Sequence, residues 1–218
     1  MEIVRRPSPN FGSRKGGAGI QLIVLHYTAM ESAEAALDRL CDPDAEVSAH
    51  YLIGQDGALY TLVPDDQRAW HAGTGTWAGR ADVNSASIGI ELDNSGTGPY
   101  AEPLMTTLEA LLADLLERHA LPAKAVIGHS DLAPSRKKDP GPYFDWARLA
   151  RADLSIWPEP ALGQGFVQDA ETFGYASDEG EDCILAAFRQ RFRPGATGPI
   201  CAADVALMAG LARQFPGR

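Results

Sequence analysis

The stretch IQLIVLHYT, residues 20–28, is a nearly continuous apolar run that ends at a histidine and a tyrosine. A short apolar run without alternation is typical of a strand buried on both faces, as in the parallel part of an α/β sheet. The segment SAEAALDRLCD (32–42) then repeats apolar residues at helical spacing behind Ser32, a residue type suited to the N-cap. A buried strand followed directly by a helix predicts an α/β domain.

Four further segments continue this mixture of strands and helices. AHYLIGQDGALYTLVP (49–64) predicts a hairpin, because two β-rich runs flank an Asp-Gly turn. SIGIELDN (87–94) alternates apolar and polar residues and predicts a strand. PLMTTLEALLADLLERHA (103–120) predicts a long amphipathic helix, and AVIG (125–128) predicts another short strand. The predicted fold class is therefore α/β, with a central mixed β-sheet flanked by helices.

The two ends of the chain differ from this pattern. Residues 1–19, rich in Arg, Pro, Ser and Gly, favour an irregular arm. A Pro/Gly-rich break at Trp157-Pro158 divides the chain into two predicted domains, 1–158 and 159–218. The second contains helical patterns near 160–173, 179–192 and 202–215. So few residues cannot build a large core alone, and we expect a small three-helix module that packs against the first domain.

The composition excludes several classes of protein. The chain has 218 residues, of which 45% are hydrophobic and 22% charged, an ordinary globular mixture. Its formal net charge of −10 argues against a nucleic-acid partner, because phosphate binding requires a cationic surface. No apolar stretch approaches the length that spans a bilayer. We expect a monomer without a membrane span.

Three cysteines bear on the compartment. Cys41, Cys183 and Cys201 are widely spaced and form no CxxC pattern, so neither a disulfide framework nor a thiolate metal site is indicated. The opening residues, MEIVRRPSPNFGSRKGG, lack the apolar segment of a secretory signal. We therefore expect a cytoplasmic protein, with a periplasmic location as the alternative if an export signal has been removed.

Two of the five histidines lie at the ends of predicted strands. His26 closes the first buried strand and His129 follows the last one, at strand ends where ligand sites of α/β domains usually lie. Asp139 comes ten residues after His129 in a loop rich in proline and glycine. Two imidazoles and one carboxylate would hold a zinc ion with the fourth position open, as in catalytic sites. The alternative for His26 is a hydrogen-bonded core residue, and the spacing alone does not show that the two histidines meet.

Two charged residues lie where they would serve such a site. Glu91 occupies the polar face of the alternating strand, a costly place for a carboxylate unless that face borders a cavity. As a functional residue it would take a proton from the attacking water, and the alternative is an edge-strand residue facing solvent. Lys137 stands two residues before Asp139, on the same side of an extended loop, where its cation would stabilise an oxyanion. The neighbouring Arg136 and Lys138 are interpreted as parts of a solvated basic loop.

A long loop supplies candidates for substrate binding. RAWHAGTGTWAGRADVN (68–84) combines two tryptophans, a histidine and several glycines, and aromatic faces suit sugar rings. The predicted substrate contacts are Trp70, His71, Trp77, Arg80 and Asn84. Trp77 is the better candidate for an exposed contact, and a structural role for Trp70 in the core is the alternative.

Five motifs together resemble one known family. In chain order they are HYTA (26–29), SAHYLIGQDG (48–57), RAWHAG (68–73), SIGIEL (87–92) and GHSDLAPSRKKDPGPYFDW (128–146). They are similar to motifs of zinc-dependent N-acetylmuramoyl-L-alanine amidases of the amidase-2 type, a superfamily that includes peptidoglycan recognition proteins and phage amidase lysozymes. The resemblance covers about residues 5–157, and its last motif is long and specific.

This resemblance implies a reaction and roles for the candidate residues. It implies one zinc ion per chain, held by His26, His129 and Asp139, with Glu91 and Lys137 as catalytic residues. The implied substrate is a muropeptide or peptidoglycan, cleaved between N-acetylmuramic acid, including its 1,6-anhydro form, and L-alanine of the stem peptide. An aspartate as third ligand matches the bacterial branch, which acts in cell-wall recycling and degradation, whereas phage and animal branches commonly use cysteine.

Two features leave alternatives open. The phage and animal branches carry a catalytic tyrosine where this chain has Ala49, so Glu91 takes the proton-transfer role in this interpretation. The tail segment ILAAFRQRFRP (184–194) is similar to small peptidoglycan-binding-like modules, with an ordinary helix core as the alternative. The rival function is a non-catalytic peptidoglycan or muropeptide sensor on the same fold, but such proteins lose a zinc ligand and here all three positions are filled.

Overall fold

The structure is a computed structural model and describes residues 3–17 and 19–217. Its strands, in chain order, are β1 (Ile3–Arg5), β2 (Phe11–Ser13), β3 (Leu22–Tyr27), β4 (Tyr51–Ile53), β5 (Leu59–Thr61), β6 (Gln67–Ala69), β7 (Ser87–Leu92) and β8 (Val126–Gly128). Six of them form a mixed sheet in the order β1-β5-β4-β7-β3-β8, and β2 pairs with β6 in a separate ribbon. Within the large sheet β4 and β5 are antiparallel and the other neighbours are parallel.

Helices flank this sheet. In chain order the α-helices are α1 (Ala33–Cys41), α2 (Val83–Ala86), α3 (Glu102–Arg118), α4 (His129–Leu132), α5 (Trp146–Arg151), α6 (Phe166–Phe173), α7 (Glu181–Phe192) and α8 (Ala202–Gln214). Short 3₁₀ helices lie at Pro43–Ala45, Ala123–Ala125 and Ser177–Glu179. The predicted α/β class, with a mixed sheet, flanking helices and three C-terminal helices, is confirmed.

Strand β3 is the centre of the parallel part of the sheet. It pairs with β7 on one side and with β8 on the other, and its first five residues are buried. Its side chains alternate between two cores, with Leu22 and Val24 in one and Ile23 and Leu25 in the other. Both faces are therefore apolar, which explains the unbroken hydrophobic run in the sequence.

The helix and the hairpin predicted from local sequence patterns are both present in the structure. Ser32 caps α1, because its Oγ accepts a hydrogen bond from the Ala35 N–H at 3.2 Å. The β4–β5 hairpin closes with a 2.9 Å hydrogen bond from the Gly54 N–H to the Ala58 carbonyl. Gly57 in this turn has a φ of 85°, a conformation that favours glycine. The helix and hairpin predictions are confirmed.

The long helix α3 covers one face of the sheet. Its buried residues recur at helical spacing and are Leu104, Met105, Leu108, Leu111, Leu112 and Leu115. They share one hydrophobic core with Ile88, Ile90 and Leu92, the apolar side of β7. That arrangement leaves Gly89 and Glu91 on the opposite face of the strand, as the alternation predicts.

Helices α6, α7 and α8 pack against the other face. Their Phe173, Phe188 and Met208 share a core with Val24 of β3 and Leu132 of α4. The predicted boundary at residue 158 thus separates two segments that bury apolar side chains against each other. The C-terminal helices lie directly behind the short helix that begins at His129.

The N-terminal arm differs from the prediction. Within the described part of residues 1–19, β1 pairs in parallel with β5 and β2 pairs antiparallel with β6. Both strands are three residues long and mostly exposed, so they carry no core periodicity that would reveal them. They form because β5 and β6 present open edges. The prediction of an irregular arm is wrong for these segments, while Met1, Glu2 and Ala18 lie outside the described residues.

Two further features of the fold are the state of the cysteines and the hydrophobicity of the helices. Cys41, Cys183 and Cys201 are all free thiols. Among residues 3–17 and 19–217, none of the helices combines the length and apolar character that crossing a membrane requires.

Candidate metal centre and active site

Three side chains meet at the carboxyl edge of the sheet. His26 comes from β3, His129 from the first position of α4, and Asp139 from the loop after α4. The Nδ1 atoms of the two histidines lie 2.9 Å apart, and Asp139 Oδ2 lies 2.9 Å from His26 Nδ1 and 3.0 Å from His129 Nδ1. All three residues are buried. The structure therefore brings together the three residues predicted as metal ligands.

Backbone and side-chain contacts orient the His129 ring. Its Nε2 donates a hydrogen bond to the Ala72 carbonyl at 2.9 Å, because a carbonyl oxygen can only accept. In the neutral ring this leaves Nδ1 with a free lone pair directed at His26 and Asp139. Such a carbonyl acceptor behind a histidine is the usual support of a metal-ligating ring.

The His26 ring is oriented by a longer relay. The Ser87 hydroxyl donates to the Val83 carbonyl at 2.6 Å and lies 3.1 Å from His71 Nε2, so it accepts the proton of that nitrogen. His71 Nδ1 then accepts from His26 Nε2 at 3.0 Å. Burial and the neighbouring His26 lower the pKa of His71 well below its ordinary value, which keeps this ring neutral. The relay leaves the lone pair of His26 Nδ1 directed at His129 and Asp139.

The donor set fits a cation. With both Nε2 atoms protonated, three lone-pair-bearing atoms face one another at 2.9–3.0 Å, a repulsive arrangement without a positive charge between them. Burial and the adjacent His129 lower the pKa of His26 to about 4. Burial alone would raise the pKa of Asp139, but the two histidines hold it below its ordinary value. Two neutral imidazoles and an ionised carboxylate are the ligand set of a three-ligand zinc site.

Glu91 lies next to this group. It stands opposite His26 in the β3–β7 register and lines the same cavity as the three candidate ligands. Its Oε2 is buried and has no hydrogen-bond partner among the described residues. Burial raises the pKa of Glu91 well above its ordinary value, the charge of Asp139 raises it further, and Lys137 opposes this effect. A buried carboxyl group with a raised pKa beside a metal site is suited to accept a proton near neutral pH.

The cavity over these residues has a volume of about 520 Å³. Lys137 is half-buried in its wall, on the loop that also carries Asp139. Arg136 and Lys138 are exposed and border the same cavity. The Arg136 guanidinium also donates to the carbonyls of Ala72 and Thr74, so it fastens the loop behind His129 as well as facing solvent.

Two of the predicted substrate contacts line this cavity. Trp70 is half-buried in its wall, and His71 reaches it from behind His26. Asn84 is buried behind the loop, where its Oδ1 accepts hydrogen bonds from the backbone N–H groups of His71 and Ala72 at 3.1 and 2.8 Å. Asn84 therefore shapes the loop that carries His71.

Trp77 and Arg80 lie elsewhere, around a separate cavity of about 300 Å³. Trp77 is only 5% exposed, and its ring packs edge-on against Phe173 and Tyr175 at centroid distances of 5.3 and 5.2 Å. The expectation that Trp77 is exposed is wrong, because the C-terminal helices cover it. Arg80 donates to Gln21 Oε1 at 2.5 Å at the rim of that cavity. The substrate role of all five residues remains a prediction.

Ser87 and Gly89 have roles that were not predicted. Ser87 ends the relay behind His26, and nothing in its strand pattern distinguishes it from an ordinary polar position. Gly89 has a detectable signal, since a glycine inside a strand often marks a close approach by another group. A Cβ at Gly89 would clash with the His71 ring, so the glycine makes room for the relay.

Comparisons with known proteins identify similar sequences. The profile of the family described as N-acetylmuramoyl-L-alanine amidase matches residues 16–142. The 1,6-anhydro-N-acetylmuramyl-L-alanine amidase AmpD of Citrobacter freundii is 38% identical over 165 residues, which cover 68% of this chain and 88% of that protein. The N-acetylmuramoyl-L-alanine amidase AmiD of Escherichia coli is 35% identical over 156 residues, covering 64% of this chain and 55% of AmiD, about half its length.

Two solved structures extend the similarity to the C-terminal helices. AmiD from Escherichia coli, in complex with the substrate anhydro-N-acetylmuramic acid-L-Ala-D-γ-Glu-L-Lys, has a TM-score of 0.83 at 27% identity and covers 96% of this chain and 99% of its own. AmpDh3 from Pseudomonas aeruginosa, in complex with an anhydromuramic pentapeptide, has a TM-score of 0.82 at 29% identity, covering 96% and 95%. Because almost the whole chain is covered, helices α6 to α8 are part of the shared architecture.

Proposed function

The chain belongs to the N-acetylmuramoyl-L-alanine amidase family, and on this basis we propose that it hydrolyses the amide between N-acetylmuramic acid and L-alanine of peptidoglycan stem peptides. The observation that carries this proposal is the meeting of His26, His129 and Asp139 beside the unpartnered carboxyl group of Glu91. The AmiD and AmpDh3 structures contain anhydromuramyl peptides, which supports including the 1,6-anhydro form of the sugar among the substrates.

His26, His129 and Asp139 would hold one zinc ion per chain. The convergence of two oriented imidazole nitrogens and one carboxylate oxygen supports this assignment. A zinc ion supplies Lewis-acid activation of a water molecule and of the amide carbonyl. The protein contributes the geometry, because Ala72 and the His71–Ser87 relay hold the two rings in the tautomers that leave Nδ1 free.

Glu91 would transfer the protons of the reaction. Its Oε2 has no partner within the described residues, so it is available to accept a proton from the attacking water. The same atom would return that proton to the departing amine of L-alanine. The pKa of Glu91, raised by burial, supports both steps, since a carboxylate with a raised pKa is a stronger base than an ordinary glutamate.

Lys137 would stabilise the oxyanion that forms when water adds to the amide. Its position in the cavity wall, on the loop that carries Asp139, supports this role. Trp70 would contact the substrate through its ring, since it lines the cavity without supporting a candidate ligand. His71, Trp77, Arg80 and Asn84 are proposed as further substrate contacts, with His71 in the wall of this cavity and Trp77 and Arg80 in the wall of the separate one.

The remaining assignments concern the whole chain. We assign residues 1–158 to the catalytic domain and 159–218 to a helical module, with the chain acting as a monomer. Three free cysteines support a reducing compartment and hence the cytoplasm, with the periplasm as the alternative. Cell fractionation of the source organism, followed by immunodetection of this chain, tests the location.

A digest of defined substrates tests the proposed reaction. The zinc-loaded protein is incubated with 1,6-anhydro muropeptides carrying tri- and tetrapeptide stems and, separately, with intact sacculi, and the products are identified by mass spectrometry. We expect release of peptides with a free L-alanine amine, together with 1,6-anhydro-N-acetylmuramic acid when the substrate is an anhydro muropeptide. Binding of muropeptides without cleavage of either substrate would instead identify a non-catalytic sensor.

A further inference from the structure

Arg191 of α7 is a buried cation that the proposed reaction does not use. It is 2% exposed, and its guanidinium donates to Asp131 Oδ2 at 2.6 Å and to the Val126 carbonyl at 2.8 Å. Its Cζ lies 4.3 Å from the centroid of the Trp146 ring, an aromatic contact that fixes the plane of the group. Arg191 therefore connects the C-terminal helices to the segment 126–131, which contains His129.

Asp131 accepts hydrogen bonds from several parts of the fold. Its Oδ2 accepts from the Gly128 N–H at 2.8 Å as well as from Arg191, and its Oδ1 accepts from the Tyr175 hydroxyl at 2.7 Å. Gly128 ends β8 and directly precedes His129. Asp131 thus closes the turn around that candidate ligand, while Arg191 and Tyr175 hold Asp131 from the C-terminal segment.

The same turn is joined to the third candidate ligand. The Ser130 N–H donates to the Asp139 carbonyl at 2.9 Å, so the backbone of residues 128–131 positions the Asp139 loop as well as His129. A displacement of this turn would change two of the three ligand positions together. Metal sites tolerate little displacement, because distances differing by a few tenths of an ångström separate good from poor coordination.

The energetics of Arg191 argue against a purely stabilising role. Its Nε is buried without a hydrogen-bond partner within the described ranges. The free-energy cost of this unpaired group offsets part of the stabilisation from the other contacts of Arg191. A buried ion pair is frequently matched or exceeded in stability by well-packed apolar side chains. An arginine that reaches both Val126 and Asp131 does supply directional contacts that an apolar side chain cannot.

We propose that Arg191 is a positioning residue, which holds the β8–α4 turn through Asp131 and so couples the C-terminal helices to the geometry of the metal site. This inference rests on the proposed function, since it requires that His26, His129 and Asp139 bind a metal. It gives the helical module a role in assembling the catalytic centre, independent of any contact that the module makes with peptidoglycan.

Arg189 provides a matched control on the same helix. It is 8% exposed and forms a buried pair with Asp204 of α8, with guanidinium contacts of 3.1 and 2.6 Å. The substitutions Arg191→Met and Arg189→Met remove the same charge from the same helix, and each removes one arginine partner from a buried aspartate that keeps its other hydrogen bonds. Only Arg191→Met affects the turn that carries His129.

The test measures metal binding in the full chain. Zn²⁺ affinity is determined by competition with a chromophoric chelator, and Co²⁺ substitution reports coordination geometry through its visible absorption. Arg191→Met is expected to weaken Zn²⁺ binding about 10-fold and to change the Co²⁺ spectrum. Arg189→Met is expected to lower the melting temperature but to keep the wild-type affinity and spectrum.

A milder variant keeps the test decisive if Arg191→Met fails to fold. Tyr175→Phe removes a single hydroxyl from Asp131 and retains the ring that packs against Trp77, and it should weaken Zn²⁺ binding in the same direction by a smaller factor. Wild-type affinity and spectrum in these variants, or an equal loss in Arg189→Met, would overturn the inference. If the wild-type protein binds no metal, the proposed function fails as well. If the wild-type protein binds zinc and cleaves muropeptides, these results contradict only the positioning role of Arg191.

Discussion

His26 Nδ1 and His129 Nδ1 lie 2.9 Å apart although 103 positions separate the two residues in the chain. Their strands explain this contact, because β3 and β8 are parallel neighbours and end at the same edge of the sheet. The following turn then places Asp139 against both rings. Local sequence determines each strand, but only the sheet register brings the ligands together.

Removal of the metal should lower the stability of the protein. A ligand that binds only the folded state at 100 times its dissociation constant adds about 2.7 kcal/mol to the free energy of unfolding. We therefore expect a chelator to lower the melting temperature and added Zn²⁺ to restore it. Asp139→Asn should abolish this zinc-dependent shift, and Asp153→Asn, at an exposed position, should retain it. An equal shift in both variants would place the metal elsewhere.

Glu91→Gln should retain the metal and lose turnover. The amide cannot accept a proton as the carboxylate does, and general base catalysis contributes about 100-fold or more to the rate. Steady-state hydrolysis of an anhydro muropeptide and metal content by mass spectrometry measure the two properties. Glu117→Gln, at an exposed position of α3, serves as the control. Turnover of Glu91→Gln near the wild-type rate would remove Glu91 from the reaction.

Lys137→Met should reduce kcat more than it changes KM. A cation that stabilises the oxyanion acts mainly in the transition state, and the loss of one such donor costs about 100-fold or more in kcat. Lys138→Met removes the same charge from the adjacent exposed position and should change kcat by less than about threefold. Comparable losses in both variants would show that the loop contributes only its general positive charge.

His71→Phe should weaken metal binding although His71 is not a candidate ligand. The phenyl ring cannot accept the proton of His26 Nε2, and loss of such a supporting contact typically costs about 10-fold or more in metal affinity. His71→Gln, whose amide oxygen can accept that proton, should lose less. His119→Phe is the control, because His119 contacts Asp65 away from the site. Unchanged zinc affinity in His71→Phe would show that the relay does not support the metal.

Asp204→Asn should destabilise the C-terminal helices in a pH-dependent way. Burial would raise the pKa of Asp204, but Arg189 and Arg193 hold it well below its ordinary value. A depressed folded-state pKa stabilises the fold above the ordinary pKa of about 3.9, and this contribution disappears as the pH falls through the folded-state value.

Urea unfolding of wild type and Asp204→Asn at several pH values measures this contribution. At pH 7 the variant should be less stable by about 3 kcal/mol, since it leaves two arginines without their charged partner. The difference should shrink as the pH falls below about 4. A difference that stays constant down to pH 3 would show that the carboxylate charge is not its source.

Much of the fold follows from local sequence patterns. The apolar run at residues 20–28, the Asp-Gly turn before Ala58 and the amphipathic pattern of α3 each specify one element, and each forms as predicted. Strands β1 and β2 have no such pattern. Their residues are largely exposed, so only the partner edges of β5 and β6 determine that they pair.

The candidate site, like the fold, could be predicted only in part from local sequence. His26 and His129 can be proposed as ligands from residue type and position at strand ends, Asp139 from its place in the loop after His129, and Glu91 from its place on a polar strand face. The contacts that orient them could not be predicted. Ser87, Ala72 and the other supporting groups are distant from the ligands in the sequence, and only the folded structure brings them into contact. The prediction that Trp77 is an exposed contact is wrong for the same reason, since Phe173 and Tyr175, which cover its ring, lie more than ninety positions later in the chain.

A zinc titration of the hydrolytic rate tests the central claim most directly. Metal-free protein is given increasing Zn²⁺ in the presence of a 1,6-anhydro muropeptide, and release of the peptide is followed by chromatography and mass spectrometry. If His26, His129 and Asp139 form one catalytic zinc site, the rate should rise in proportion to zinc and level off at about one equivalent per chain. One equivalent of tightly bound zinc without any cleavage, or full cleavage by the metal-free protein, would contradict it.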